Sequence, residues 1–173
     1  MLRTAPNRTV RRLHLNKRTI IDRIIAVLAA ELDSYTQSAR AAFAAATDEQ
    51  SKSEGKYDTR AIESSYLARG QSLQATEIMR AVQQYEVLPV RAFLPTAPID
   101  IGAIVELERK GERTFYFIGP GAGGTEVESD GNLVLVITPQ SPMGQQLVGR
   151  KRGEHLQIKV GRTSESYEVA SVA

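Results

Sequence analysis

The stretch ITPQSPMGQQLVGRKRG, Ile137 to Gly153, decides the fold of the C-terminal half of the chain. The aliphatic run Leu133 to Ile137 reads as a strand that stops at Pro139. Ser141 followed by Pro142 then supplies a capping hydroxyl and a first helical residue whose φ is already set. A short helix is expected from Pro142, with Met143, Leu147 and Val148 as its buried side and Gly149 as its left-handed cap. Arg150, Lys151 and Arg152 form a basic turn that Gly153 closes, and Leu156, Ile158 and Val160 alternate in the next strand.

Upstream of this stretch the pattern has period two. Val105 and Leu107 alternate with Glu106 and Glu108, Lys110 and Gly111 turn the chain, and Phe115, Phe117 and Ile118 return, which predicts a β-hairpin. Asp130, Gly131 and Asn132 make the next turn. Residues 101–173 are thus expected to form a small domain with a twisted antiparallel sheet and one short helix. The glycine run GPGAGG, Gly119 to Gly124, is followed by no Lys-Ser/Thr pair and opens no helix, so it does not read as a phosphate cradle.

Further toward the N-terminus, Pro89, Pro95 and Pro98 mark a linker over 89–100. Before it the period lengthens. Behind an N-cap at Asn16, apolar residues recur in steps of three and four at Ile21, Ile24, Leu28, Leu32, Tyr35, Ala39, Ala42 and Ala46. Roughly 28 residues at 1.5 Å each make a rod of about 42 Å, which needs a partner. TDEQSKSEGKY, Thr47 to Tyr57, contains no aliphatic residue and reads as a turn, after which Ala61, Ala68 and Ala75, then Met79, Val82 and Leu88, continue a second helix until Pro89. An antiparallel coiled-coil hairpin over 19–88 with its tip at 47–57 follows, and the fold class is α+β. Alanine in both helices near the turn predicts a slim tip.

Composition excludes several chemistries. The chain has 173 residues, no cysteine and only two histidines, His14 and His155, so disulfides, thiolate zinc clusters and cysteine nucleophiles are ruled out. No apolar run approaches the roughly 20 residues that cross a bilayer, and no signal-peptide core is evident, which predicts a cytoplasmic protein without a membrane partner. The net charge of +2 is small, but the first 18 residues carry Arg3, Arg8, Arg11, Arg12, Lys17 and Arg18 and no acid. Such an arm, 1–18, suits nucleic acid or an acidic protein face, or is simply a solvated terminus.

Ser141, Pro142, Met143, Gly144, Leu147, Val148, Gly149, Arg150, Lys151, Gly153 and Glu154 stand in an order that resembles the C-terminal domain of the Gre-type (GreA/GreB) bacterial transcription elongation factors. The resemblance implies an FK506-binding-protein-like fold for 101–173 and RNA polymerase as partner, with nucleic acid within reach inside the elongation complex. It places docking at Ser141, Pro142, Met143, Gly144, Arg150, Lys151 and Arg152. It also implies that the hairpin tip enters the polymerase secondary channel and stimulates cleavage of backtracked transcripts by helping to hold a catalytic Mg²⁺. On that reading the chain is no enzyme by itself, binds no metal or cofactor stably, and has no small-molecule substrate. Hard Mg²⁺ prefers carboxylate oxygens, and the tip offers Asp48, Glu49 and Glu54. Aligned on Tyr57, however, the two metal-holding positions of the family's tip fall on Gln50 and Ser53. A channel-binding regulator that modulates transcription without stimulating cleavage is therefore the alternative. A peptidyl-prolyl isomerase is disfavoured, because Phe115, Tyr116 and Phe117 are consecutive and cannot line one side of a pocket. A basic-armed nucleic-acid binder without a polymerase role is the remaining reading.

Overall fold

The computed structural model describes residues 15–47, 59–94, 96–160 and 163–173. Helix α1 spans Lys17–Thr47 and helix α2 spans Thr59–Glu86. Strands β1 (Ile104–Arg109), β2 (Glu112–Ile118), β3 (Glu126–Ser129) and β4 (Asn132–Ile137) follow, then helix α3 (Pro142–Leu147) and strands β5 (His155–Val160) and β6 (Thr163–Val172). This is the expected α+β layout.

The start of α1 is fixed by Asn16, whose Oδ1 accepts from the Thr19 N–H at 3.2 Å. Ile21, Ile24 and Leu28 are buried and Leu32, Tyr35 and Ala39 half-buried, as the heptad spacing requires. Ile20 is fully buried as well, because this end of α1 packs on the sheet in addition to α2. In α2 the buried side differs from the expected one. Met79 is exposed, and Ile78, Ala81 and Tyr85 are buried, with Ala75 and Val82 half-buried beside them. The seam runs 75, 78, 82, 85, a step of three or four each time. The start of α1 meets the end of α2, so the helices are antiparallel.

The sheet has the strand order β3-β4-β2-β1-β6-β5. It is mixed, not wholly antiparallel as expected: β2 and β4 run parallel, with Phe115 opposite Val134 and Ile118 opposite Ile137. The cause is the glycine loop after β2. It passes over the end of β4, where Gly119 N–H donates to Ile137 O at 2.8 Å and Gly124 N–H to Val136 O at 2.9 Å, and it delivers the chain to the far edge as β3. The β3–β4 hairpin then fills the gap from the outside, which sets β4 beside β2 in the same direction. The β1–β2 turn is Lys110–Gly111 as read from the sequence, with φ of 49° and 87°.

Both faces of the sheet are covered, so there are two cores. On one face Ile20, Ile24, Leu28, Ile78, Ala81 and Tyr85 of the hairpin base pack with Ile104, Phe117, Val127, Val134 and Val136. On the other, Leu147 of α3 and Ile99 of the connector cover Val105, Leu107, Ile118, Ile137, Val169 and Val172. Two-sided burial explains why β1 does not alternate as the sequence suggested. Glu106 is 4% exposed, and Arg113 Nη1 lies 2.8 Å from its carboxylate.

Candidate functional site

The region of α3 assembles from local rules. Ser141 has an extended backbone, its Oγ accepts from Gly144 N–H at 3.0 Å, and the same hydroxyl donates to Thr138 O at 2.8 Å. Pro142 occupies the first turn, where a missing N–H costs nothing. Gly144 is buried against the end of β4: a Cβ there would lie 1.9 Å from Thr138 O, so only glycine lets the helix descend this close. Gly149, with φ of 85°, ends the helix and donates its N–H to Ile99 O at 2.8 Å, which ties α3 to the connector.

These contacts divide the docking residues read from the sequence into two sets. Ser141 and Gly144 are consumed in building the helix, and Met143 is half-buried against the second core. Pro142, Arg150, Lys151 and Arg152 face outward. Val148, expected on the buried side, is exposed beside them, because the helix has already ended at Leu147 and the chain turns away from the sheet. Arg150 pairs with Glu154 at 3.3 Å and donates to Gln146 O, and Arg152 donates to Ala170 O at 3.1 Å. The Lys151 side chain makes no hydrogen bond or ion pair to the described residues, and its carbonyl accepts from Glu154 N–H at 3.2 Å. The surface is thus a basic turn with an apolar rim of Pro142 and Val148, suited to a carboxylate- or phosphate-bearing partner.

Residues 94–173 match the sequence family described as transcription elongation factor, GreA/GreB, C-terminal domain. This domain belongs to the GreA/GreB family. The solved structure of the transcription factor Gfh1 is similar to this chain with a TM-score of 0.38 at 17% identity, covering 87% of this chain and 93% of that one. GreA factor homolog 1 (Gfh1) of Thermus thermophilus gives 0.38 at 18% identity with 86% and 94% covered. Thermus aquaticus Gfh1 gives 0.39 at 20% identity with 87% and 92% covered. No curated protein matches the sequence.

The GreA/GreB-type domain carries a second feature that sequence reasoning missed, the seat of the hairpin. Tyr85, near the end of α2, is 1% exposed; its hydroxyl donates to Gly121 O at 2.9 Å, and its ring lies 6.3 Å from that of Phe117. Burial raises the pKa of this phenol well above its ordinary value. Gly119 has no room for a side chain, since a Cβ would fall 2.0 Å from the Tyr85 hydroxyl. The glycine run that is no phosphate cradle is therefore the socket that receives the hairpin. The tip candidates Asp48, Glu49 and Glu54 lie outside the described residues, as does the arm up to residue 14. Among the described residues no helix is long and apolar enough to cross a membrane, and no group of three or more His, Asp or Glu side chains is placed to hold a metal ion.

Proposed function

We propose that the chain is a transcription elongation factor that binds RNA polymerase in the cytoplasm. The GreA/GreB-type domain docks through Pro142, Arg150, Lys151 and Arg152 at the secondary channel, and the hairpin tip enters the channel to stimulate cleavage of backtracked transcripts. The observation that supports this reading best is the anchoring of the hairpin. Its base shares a core with the sheet, while α1, 31 residues and about 46 Å long at 1.5 Å per residue, runs on far past that core. A rod fixed at one end transmits the position of the docked domain to its far end. Asp48, Glu49 and Glu54, in the segment of sequence that joins the two helices, would hold a Mg²⁺ shared with the polymerase, and the chemistry such an ion would supply is activation of water toward the phosphodiester. The chain brings no cofactor of its own and is no enzyme alone.

The test is transcript cleavage on stalled elongation complexes with and without the protein. Acceleration is expected, and changing Glu49 and Glu54 together to Gln abolishes it while binding persists, since the amide keeps the shape and loses the hard anionic ligand. Reversing Arg150 and Lys151 to Glu weakens polymerase binding with little change in Tm, because exposed pairs contribute at most about 1 kcal/mol. Gln50 and Ser53, at the positions where the family's tip carries its acidic pair, favour a second reading, a channel-binding regulator. Absence of acceleration at every Mg²⁺ concentration, with binding intact, decides for it.

A further inference from the structure

Where α1 meets the connector, two cations share one aromatic ring. Lys17 Nζ lies 4.6 Å from the centroid of Phe93 and the Arg91 guanidinium carbon 4.7 Å from it. Lys17 is half-buried, and its Nζ donates to the backbone carbonyl of Arg91 at 2.6 Å. Arg91 is held in turn by Asp100 at 2.8 Å and by Ile101 O at 3.1 Å, both through Nη2. Its Nη1 and Nε make no hydrogen bond to the described residues, so three of its five N–H donors are not used by them. Arg91 is about half exposed, which leaves this edge of the fork reachable from solvent.

We propose that Lys17 is a site of covalent acylation, modified on its ε-amine by a small acyl phosphate whose phosphoryl group is held by the open edge of the Arg91 guanidinium. The geometry supplies the two groups that such a donor needs, a planar cation for the phosphoryl oxygens and an amine fixed next to it. The hydrogen bond to Arg91 O orients one N–H of the amine and leaves the nitrogen lone pair for attack. That lone pair forms the C–N bond to the acyl carbon, the C–O bond to the phosphoryl group breaks, inorganic phosphate leaves, and the surplus proton on nitrogen passes to solvent. No oxidant or reductant enters. Partial burial, with the charge of Arg91 second, lowers the lysine pKa to about 8, so a substantial fraction of the amine is neutral near neutral pH. The amide product keeps one N–H for Arg91 O and relieves the repulsion between the two cations on Phe93. Arg18, the adjacent cation on α1, is engaged with Asp22 at 3.0 Å and does not compete for the donor.

Incubating the full chain with acetyl phosphate at pH 7.5, followed by peptide mapping in a mass spectrometer, tests the assignment. Lys17 is expected to be acetylated about tenfold faster than the exposed Lys110 and Lys151, the gain in neutral amine exceeding the loss of nucleophilicity. Equal rates at the three lysines overturn the proposal. Acetic anhydride, which has no phosphoryl group, separates the two parts of the site. Arg91→Gln is expected to slow acetylation of Lys17 by acetyl phosphate several-fold more than acetylation by the anhydride, and Arg91→Lys to restore part of the difference. An Arg91→Gln variant of unchanged Tm that slows both reagents equally overturns the role of the guanidinium.

Discussion

The two ends of the hairpin are built from the same helices and obey different rules. At the base, Ile20, Ile24, Leu28, Ile78 and Tyr85 are buried in a core they share with Ile104, Phe117, Val127, Val134 and Val136 of the sheet. Beyond the sheet the same helices expose Phe43, Tyr66, Leu67 and Leu73, each more than half accessible. The first region is a joint and the second a lever. What fixes a lever is the core at its root, so mutations of similar chemistry should have very different consequences at the two ends.

The largest difference is expected from a matched pair of truncations. Leu28→Ala removes a side chain that is 2% exposed and leaves a cavity between two helices and the sheet, which costs about 2–5 kcal/mol. Leu73→Ala, at a position 61% exposed, changes stability by less than about 0.5 kcal/mol. Denaturant midpoints of the two variants check this, and equal losses would mean that the outer half is as tightly buried as the root.

Next comes the socket. Tyr85→Phe keeps the ring against Phe117 but leaves the Gly121 carbonyl without its hydroxyl partner, and destabilisation of about 1–3 kcal/mol follows. Loosening of the root should also be visible in amide exchange: protection along the last two turns of α2 falls in this variant while that of α3 is unchanged. A variant as stable as the parent would show that the hydroxyl is solvated and the socket loose.

The contrast between the ends also marks how far the sequence could be read. The Ser141–Gly149 segment was legible because every determinant is within three residues of its partner: a hydroxyl on Gly144 N–H, a proline in the first turn, a glycine at positive φ. The α1 seam was legible because its aliphatics fall on one stripe. The α2 seam was misread in part, since Tyr66, Leu67, Leu73 and Met79 place apolar residues outside the stripe and blur the period; the seven-residue alanine spacing leads on to Val82, which is half-buried, but Met79 was read into the same seam, where the helix buries Ile78. The alternation of Val105 and Leu107 with Glu106 did not announce the burial of Glu106, because nothing local shows that helices from the other half of the chain pack on the face of the sheet that carries Ile104. The parallel pairing of β2 with β4 is likewise set by a loop crossing, a property of topology that alternation in single strands does not encode. Of the candidate region, the sequence showed the basic turn and the capping role of Ser141; it missed that Gly144 is packed too closely on Thr138 O for any side chain and that the glycine run seats Tyr85.

A smaller effect, dependent on pH, acts at the root. Lys17 and Tyr85 both sit at the root, and their shifts oppose one another. Lys17 is lowered to about 8 by burial, against about 10.4 in an unfolded chain, so between these values the unfolded state binds more protons and stability rises with pH, by at most about 1.4 kcal/mol per pH unit. Tyr85 is raised by burial, so above about pH 10 the folded state retains a proton that the unfolded state loses, and stability falls as pH climbs. A Tm profile from pH 7.5 to 11 should therefore peak near pH 10. Lys17→Met should flatten the rising limb and Tyr85→Phe the falling one. A profile that Lys17→Met leaves unchanged would place that amine in solvent.

The smallest effect has the opposite sign and belongs to the lever. Gly70 lies inside α2, exposed, and a Cβ built on it meets nothing within 4 Å. Neither a turn nor a close approach within the fold explains a glycine there, and in a helix interior it is less favourable than alanine by about 0.5–1 kcal/mol. Gly70→Ala should accordingly stabilise the protein by roughly that amount, mostly by restricting the unfolded chain, with slower exchange of the amides around it and no change at the sheet. The result sharpens the comparison of the two ends whichever assay is added. If the stiffened variant also acts normally on elongation complexes, the outer hairpin needs only length and charge. If it gains stability and loses activity while still binding, the glycine marks a place where the lever must bend or pass close to a surface of its partner. Destabilisation instead would mean that the outer helix is packed on that side, and the division into joint and lever would fail.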